Sequence, residues 1–367
     1  MIPAFAVLRT AVRTGDLLGE NAEHMKKYLN TLFVTTQGAY LNKEGEAVVV
    51  SVEREVRLRM PIHTLGGIVC FGNVLCSPFL MHHCAENNVL IGFLSEHGRF
   101  LARVQGPVNG NVLLRRQQYR LADDPAASAH IARAVVLGKV ANCRTVLQRA
   151  LRDHADKTGQ DEIEIAVRRL GHLLKELEEP LPLESLRGKE GDAANTYFGV
   201  FDHLITAQKE AFYFKERSRR PPLDNMNALL SFIYTLLAHD CVGALEAVGL
   251  DPQVGFLHRD RPGRPSLALD LMEEFRPFFA DRLALSLVNL KQVQGNGFKQ
   301  TESGAVEMTD DTRKTVLVTY QKRKTEEMIH PFVEESAALG IFFHLQAQML
   351  ARHLRGDLDG YPPVIWK

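Results

Sequence analysis

Thr31-Leu32-Phe33-Val34-Thr35-Thr36, Ala47-Val48-Val49-Val50-Ser51-Val52, Ile68-Val69-Cys70-Phe71 and Val89-Leu90-Ile91-Gly92-Phe93-Leu94 are the stretches whose reading decides the fold. Each run is short and β-branched or aromatic. Between them fall Gly38, Asn42, Gly45, Gly66, Gly67, Gly72 and Gly98, as expected for strands separated by tight turns. With Arg99-Phe100-Leu101-Ala102-Arg103 they predict a small β-sandwich over residues 25–105, interrupted by one short helix over 77–88. Gly106-Pro107-Val108-Asn109-Gly110 opens a linker that reads to residue 125. Beyond it the apolar residues recur at i, i+3 and i+4 over 126–155, 161–177, 191–216, 223–248, 267–279, 309–324 and 333–354, which predicts helices. The expected fold is α+β with segregated elements: an N-terminal β-sandwich followed by a larger all-α domain over 126–367. Residues 1–24 carry no clear period and precede Met25-Lys26-Lys27, so they read as an N-terminal extension upstream of a natural start at Met25.

With 45% hydrophobic and 24% charged residues in 367, the composition is that of a globular protein and excludes a fibrous or disordered chain. Lys+Arg and Asp+Glu both number 44, so bulk charge selects no polyanion, and a nucleic-acid partner would have to be held by local basic clusters. The cysteines, Cys70, Cys76, Cys84, Cys143 and Cys241, are odd in number and form no CxxC pair. They read as reduced thiols in a cytoplasmic protein rather than a disulfide framework or a zinc site. No apolar run of membrane length and no leader pattern is evident, so no membrane association is expected.

Three segments carry residues with the chemistry of a site. In Ser266-Leu267-Ala268-Leu269-Asp270-Leu271-Met272-Glu273-Glu274-Phe275-Arg276-Pro277 the acids Asp270, Glu273 and Glu274 share an arc of about 100° on a helix, opposite Leu271, Met272 and Phe275. Like charges so placed repel, and need either solvent or a cation. Glu190, in Lys189-Glu190-Gly191-Asp192-Ala193-Ala194, lies on the stripe of Ala193, Ala194, Tyr197, Phe201 and Leu204, the face a helix buries. Burying a carboxylate costs several kcal/mol unless it is paired or metal-bound. The plainer alternatives are a solvated acidic face in the first segment and an acid near a helix N-terminus in the second. Gly255-Phe256-Leu257-His258 then delivers an imidazole just before the acidic helix, followed by the basic residues Arg259, Arg261 and Arg264. One imidazole and two carboxylates form a mixed nitrogen and oxygen donor set suited to Mg²⁺ or Mn²⁺. The surrounding arginines suit a phosphodiester. Spacing alone leaves open whether the three segments meet.

These residues resemble those of the CRISPR-associated protein one family, the metal-dependent endonuclease and integrase of CRISPR adaptation. The likeness runs from Met25 to the C-terminus. It is carried by Leu32-Phe33-Val34-Thr35-Thr36-Gln37-Gly38-Ala39-Tyr40-Leu41, Pro61-Ile62-His63-Thr64-Leu65-Gly66-Gly67, Glu190-Gly191-Asp192-Ala193-Ala194, Gly255-Phe256-Leu257-His258 and Asp270-Leu271-Met272-Glu273-Glu274-Phe275-Arg276-Pro277. It is most like the type I, subtype C branch. The resemblance implies a β-sandwich that pairs two subunits, and a helical domain that holds Mg²⁺ or Mn²⁺ through Glu190, His258 and Glu273, with Asp270 in support. It implies double-stranded DNA, fragment and repeat array, as substrate, joined by attack of a fragment 3′-hydroxyl on a repeat phosphodiester. It also implies a homodimer, a heterocomplex with the small second CRISPR-associated protein, and in this branch a fragment-trimming nuclease. The alternative within the same process is a DNA-capturing scaffold without chemistry of its own. Arg187, three residues before Glu190, and Arg261, three after His258, are placed to meet phosphates, with Arg259, Arg264 and Arg276 next in line. Arg115, Arg116, Lys322, Arg323 and Lys324 read as solvating surface, and Tyr197 as packing.

Overall fold

The structure is a computed structural model that describes residues 30–87, 89–96, 100–104, 112–153 and 159–366. The expected extension over 1–24 and the glycine-bounded stretch at 106–110 lie outside them. In chain order the N-terminal part carries β1 (Thr31–Val34), β2 (Tyr40–Glu44), β3 (Ala47–Val52), β4 (Glu55–Pro61), β5 (Gly67–Phe71), β6 (Leu75–Cys76), α1 (Pro78–Glu86), β7 (Leu90–Leu94) and β8 (Phe100–Val104). The strands form two sheets, in the orders β4-β3-β2-β6 and β1-β5-β7-β8. In the second sheet β1, β5 and β7 run parallel and β8 returns antiparallel to β7. Strand β4 was not expected. Its sequence, EVRLRMP, alternates charge with apolar residues, and it forms the exposed edge of its sheet. The short helix α1 starts where Ser77 caps it, the serine Oγ accepting from the Leu80 N–H at 3.2 Å.

The period of two in β5 sends alternate side chains to two different cores. Ile68 and Cys70 pack between the sheets with Leu41, Val48, Leu80, Cys84 and Ile91. Val69 and Phe71 face the other way, into the helical core, where the Phe71 ring lies 5.8 Å from that of Phe232. A strand buried on both faces needs an unbroken apolar run, which is how β5 reads. The sheet containing β5 is thus a middle layer between the other sheet and the helices. Polar ties cross the same junction: Lys324 Nζ is 2.9 Å from Asp240 and 3.3 Å from Thr31 Oγ1, and Arg103 pairs with Glu246 at 3.1 Å. Lys324 is therefore buried and paired, not a solvating residue.

The helices are α2 (Val112–Asp123), α3 (Pro125–Asp153), α4 (Gln160–Glu176), α5 (Leu183–Gly199), α6 (Asn225–Ala247), α7 (Ser266–Phe275), α8 (Arg282–Asn289), α9 (Asp310–Thr325) and α10 (Leu339–Arg355). A π-helical turn, Arg276–Asp281, joins α7 to α8. Helix α2 occupies most of the expected linker. Its sequence, VLLRRQQYRLAD, is too polar to read as a helix by stripe, but Gln118 is buried and its amide donates to the carbonyls of Asp251 and Val254, both at 2.8 Å. Helix α5 stops at Gly199 instead of running to 216, and the chain turns so that Phe201, Phe212 and Phe214 fill the core. Two hairpins, β9 (Phe298–Gln300) with β10 (Val306–Met308) and β11 (Glu327–Ile329) with β12 (Ser336–Ala338), make this part mostly helical rather than all-α. The second hairpin delays the start of the last helix from 333 to Leu339. Helix α6 is long and apolar enough to cross a bilayer by length and composition, against the expectation that no such segment exists. It is a core helix here: Met226, Leu229, Leu230, Ile233 and Leu237 are buried, and Asp240 near its end accepts from Lys324.

Candidate active site

The acidic helix α7 and the loop before it are locked together by Asp270. This carboxylate is 1% exposed. It accepts the backbone N–H groups of Phe256 at 2.6 Å, Leu257 at 3.0 Å and His258 at 2.9 Å. The nest of N–H donors satisfies a buried anion that would otherwise be costly. It works only because position 255 is glycine, since a Cβ there would lie 2.8 Å from Asp270 Oδ2 and 2.8 Å from the Ser266 backbone. Asp270 Oδ1 also sits 2.7 Å from His258 Nδ1. With Nδ1–H donated to Asp270, the imidazole presents the lone pair of Nε2, which faces Glu273 Oε1 at 3.8 Å.

Glu190 lies in the interior of α5, not at its N-terminus, so the helix dipole does not account for it. Its carboxylate forms an ion pair with the ammonium of Lys139, which is buried in α3. The same ammonium is 2.7 Å from Glu273 Oε2, and Arg276 is 2.8 Å from Glu273 Oε1. Burial pushes the Glu273 carboxyl up, but Arg276, Lys139 and His258 outweigh it and bring its pKa to about 2. Burial likewise acts to lower the Lys139 pKa, yet Glu273 and Glu190 raise it above the usual lysine range. Both groups are therefore charged at neutral pH. Lys139 was not singled out in the sequence. The signal available was a lysine among Val135, Val136, Val140 and Ala141, because a lysine on a buried stripe is rare unless paired.

Glu190, His258 and Glu273 thus converge, with the Lys139 ammonium between the two glutamates. Among the described residues no group of three or more His, Cys, Asp and Glu side chains forms a ready-made metal cage. The donor chemistry nevertheless suits a divalent cation. The two carboxylates already share one cation, the imidazole aims an oriented lone pair at Glu273, and buried Glu273 Oε2 has no hydrogen-bond partner in good geometry even with Lys139 nearby. The 3.8 Å between Nε2 and Oε1 exceeds the roughly 3.0 Å between adjacent ligands of an octahedral ion with bonds of ~2.1 Å, so the two side chains would draw together by under ~1 Å to share one.

The acids of α7 do not share one target. Asp270, Glu273 and Glu274 are all buried, which excludes a solvated face. Glu274 turns away from the site to hold the C-terminal tail: it accepts from the Tyr361 hydroxyl, from the Val364 N–H at 2.7 Å and from Gln346 Nε2 at 3.0 Å. Burial, only partly offset by these bonds, pushes its carboxyl up to about 8. The tail in turn packs on Gly138, where a Cβ would come 2.8 Å from Pro363. The residue next to Lys139 is therefore pinned from behind.

The arginines divide as well. Arg276 is turned inward, paired with Glu273 and 5.0 Å over the Tyr234 ring. Arg187 donates Nε to the Leu257 carbonyl at 2.7 Å and another N–H to Glu184, whose second oxygen is 2.7 Å from Arg259. Arg259 and Arg261 are exposed and Arg264 is half-buried in the same loop. Arg323 is tied to Glu326 and to the Phe278 carbonyl. Beside Glu190 opens a cavity of about 290 Å³ lined in part by Lys139, Tyr197, Arg217, Tyr234 and Asp281. Burial raises the Asp281 carboxyl to about 6, although Tyr234 donates a hydrogen bond to it. Tyr197 is packing, edge-on to Phe198 and Phe201.

The family profile described as CRISPR associated protein Cas1 matches residues 32–322. The chain is 57% identical over 343 residues to CRISPR-associated endonuclease Cas1 1 of Chlorobaculum tepidum, covering 94% of this chain and 100% of that protein. It is 55% identical over 347 residues to CRISPR-associated endonuclease Cas1 2 of Rhodospirillum rubrum, covering 94% and 100%. Its fold is also that of a casposase bound to integration product, with a TM-score of 0.79 at 21% identity, covering 92% of this chain and 94% of the other. On the breadth and identity of these matches, the chain belongs to the Cas1 family of CRISPR-associated proteins.

Proposed function

We propose that this protein is a divalent-metal-dependent DNA endonuclease and integrase that joins short DNA fragments to a CRISPR repeat in adaptation. The observation that carries the reading is the convergence of Glu190, Glu273 and the oriented Nε2 of His258 around one cationic centre. These three residues would hold Mg²⁺ or Mn²⁺, and the ion when bound would supply Lewis-acid polarisation of a phosphate oxygen. The chain's own groups do the rest. Asp270 fixes the ring and tautomer of His258, so the histidine serves as a ligand and not as a base. Lys139 and Arg276 keep Glu273 ionised. Arg187, Arg259, Arg261 and Arg264 supply phosphate-binding charge at the mouth of the site. In the joining step a fragment 3′-hydroxyl attacks the repeat phosphodiester, one P–O bond forms, and the repeat strand's 3′-hydroxyl leaves with a proton. Water in place of the hydroxyl gives cleavage.

By the same resemblance the working assembly is a homodimer in complex with the small second protein of adaptation, cytoplasmic, of the type I subtype C branch, served by a fragment-trimming nuclease. The test is integration of a labelled fragment into a supercoiled repeat-bearing plasmid with Mn²⁺ or Mg²⁺ and the small partner present. Wild type joins strands, whereas Glu190→Gln, His258→Ala and Glu273→Gln each lose at least ~100-fold while remaining folded, in line with removal of a group stabilising transition-state charge. Wild type that binds DNA but joins nothing under any divalent ion would replace this reading with a capture scaffold.

A further inference from the structure

At the mouth of the site two guanidinium groups converge on one carboxylate. Arg187 and Arg259 bond different oxygens of Glu184, the latter at 2.7 Å. Arg187 is also fixed by its Nε–H to the Leu257 carbonyl at 2.7 Å, so its fork is oriented whether or not Glu184 is there. Three residues along α5, a rise of about 4.5 Å, separate Arg187 from Glu190, and Arg259 directly follows His258. Two forks aimed at one oxyanion are what a phosphate group requires. The Glu184 and Arg259 side chains are 66% and 64% exposed, so their contact is screened by solvent and easily exchanged for another anion.

We propose that Glu184 is an internal stand-in for a DNA phosphate: it holds Arg187 and Arg259 in a receptive geometry and must be displaced before a phosphodiester can engage them. The inference rests on the strand-joining reading above and deepens it, because it makes Glu184 a gate on DNA entry. An isolated phosphate must compete with a tethered carboxylate at high effective concentration. A DNA strand whose neighbouring phosphates bind elsewhere displaces it with ease. Glu184 also stands in the first turn of α5, where an acid stabilises a helix, so the experiment has to separate gating from helix stabilisation.

The experiment is fluorescence anisotropy of a labelled DNA duplex with single-stranded 3′ ends, titrated with the full chain at low and moderate salt. Glu184→Gln binds about 3- to 10-fold tighter than wild type at low salt, the scale expected when two exposed ion pairs no longer compete. Its salt slope steepens by about one unit as one more phosphate contact is made. Glu55→Gln, which removes an equally exposed acid on β4, corrects for net charge and shows a smaller gain. In the double variant Glu184→Gln with Arg259→Gln, the gain disappears. Glu184→Asp keeps the first-turn charge but is one methylene too short to span both arginines. It binds more tightly than wild type if Glu184 is a gate, and like wild type if it only supports the helix. Affinity of Glu184→Gln no higher than that of Glu55→Gln, or a gain that survives Arg259→Gln, overturns the inference while leaving the strand-joining reading intact. Wild type that binds no DNA overturns both.

Discussion

Lys139→Met tests the electrostatics of the site without touching any proposed ligand. The Lys139 ammonium lies between Glu190 and Glu273, and Arg276 holds the other Glu273 oxygen, so the substitution removes one of the two cations paired with these carboxylates. Methionine fills most of the lysine volume, so the cost is that of leaving buried Glu273 and half-buried Glu190 without this cation, about 3–5 kcal/mol. For a chain of this size that lowers the melting temperature by on the order of 4–6 °C. A divalent cation restores the lost charge and meets no ammonium between Glu190 and Glu273, so the variant binds it more tightly than wild type does. At a hundred times its dissociation constant a ligand adds about 2.7 kcal/mol, enough to recover half or more of the loss. The assay is thermal unfolding in chelator and then in Mn²⁺, for wild type, Lys139→Met, and Lys139→Met with Glu190→Gln. The single variant is less stable in chelator and gains more from Mn²⁺ than wild type, and the double variant recovers in chelator and loses much of the metal response. Melting of Lys139→Met within about 1 °C of wild type, or an equal Mn²⁺ shift in both, would refute the claim that this ammonium occupies the place between Glu190 and Glu273 that a divalent ion would take.

Gly255→Ala places a Cβ 2.8 Å from Asp270 Oδ2, so the N–H nest opens and His258 loses its orientation; strand joining falls by about 100-fold, the scale of a misplacement of ~1 Å at a reacting centre, and unchanged joining would contradict the nest. Asp270→Asn removes the charged acceptor for His258 Nδ1–H and weakens Mn²⁺ binding by about 10- to 100-fold by calorimetry, whereas undiminished affinity would free Asp270 of its positioning role. Glu274 holds its proton up to about pH 8 when folded, whereas an unfolded glutamate titrates near ~4.3, so the folded state carries the extra proton between those values and stability falls as pH rises through that window. Glu274→Gln removes this contribution: urea unfolding at about pH 5 and pH 8 shows wild type losing more stability between the two than the variant, and equal losses would mean that Glu274 is ionised inside the fold.

Strands whose neighbours on both sides are apolar could be read directly, because burial on two faces leaves no room for a polar residue. That is why Ile68-Val69-Cys70-Phe71 stood out and β4, half in solvent with its arginines, did not. Helix α2 escaped for the complementary reason. It is held by the Gln118 amide reaching two carbonyls more than a hundred residues away, a long-range polar bond that leaves no periodic trace. The end of α5 at Gly199 was invisible too, since the aromatic residues that follow keep a helix-like spacing while packing as a turn: Phe198, Phe201 and Phe214 form one cluster with ring centroids 5.0–5.5 Å apart.

The candidate site shows the same division between local and distant causes. Glu190 drew attention because it sits on a stripe that must be buried, and a wheel reveals that from a dozen residues. What neutralises it could not be found that way, because Lys139 lies 51 positions upstream, on a helix whose lysine is unusual only for being buried. The wheel also put Asp270, Glu273 and Glu274 on one face, which left solvent or one shared cation as their common partner. In the fold, adjacent angles on a fully enclosed helix meet different neighbours: the 256–258 loop, the Lys139 ammonium and the C-terminal tail. A helix with solvent on one side can pool its acids there, whereas one enclosed all round must satisfy each acid separately. That requirement separates their roles: the carboxylate saturated with N–H donors orients the imidazole, the one kept in place by hydrogen bonds to the tail carries structure, and only Glu273 is held by side-chain cations, which another cation can replace.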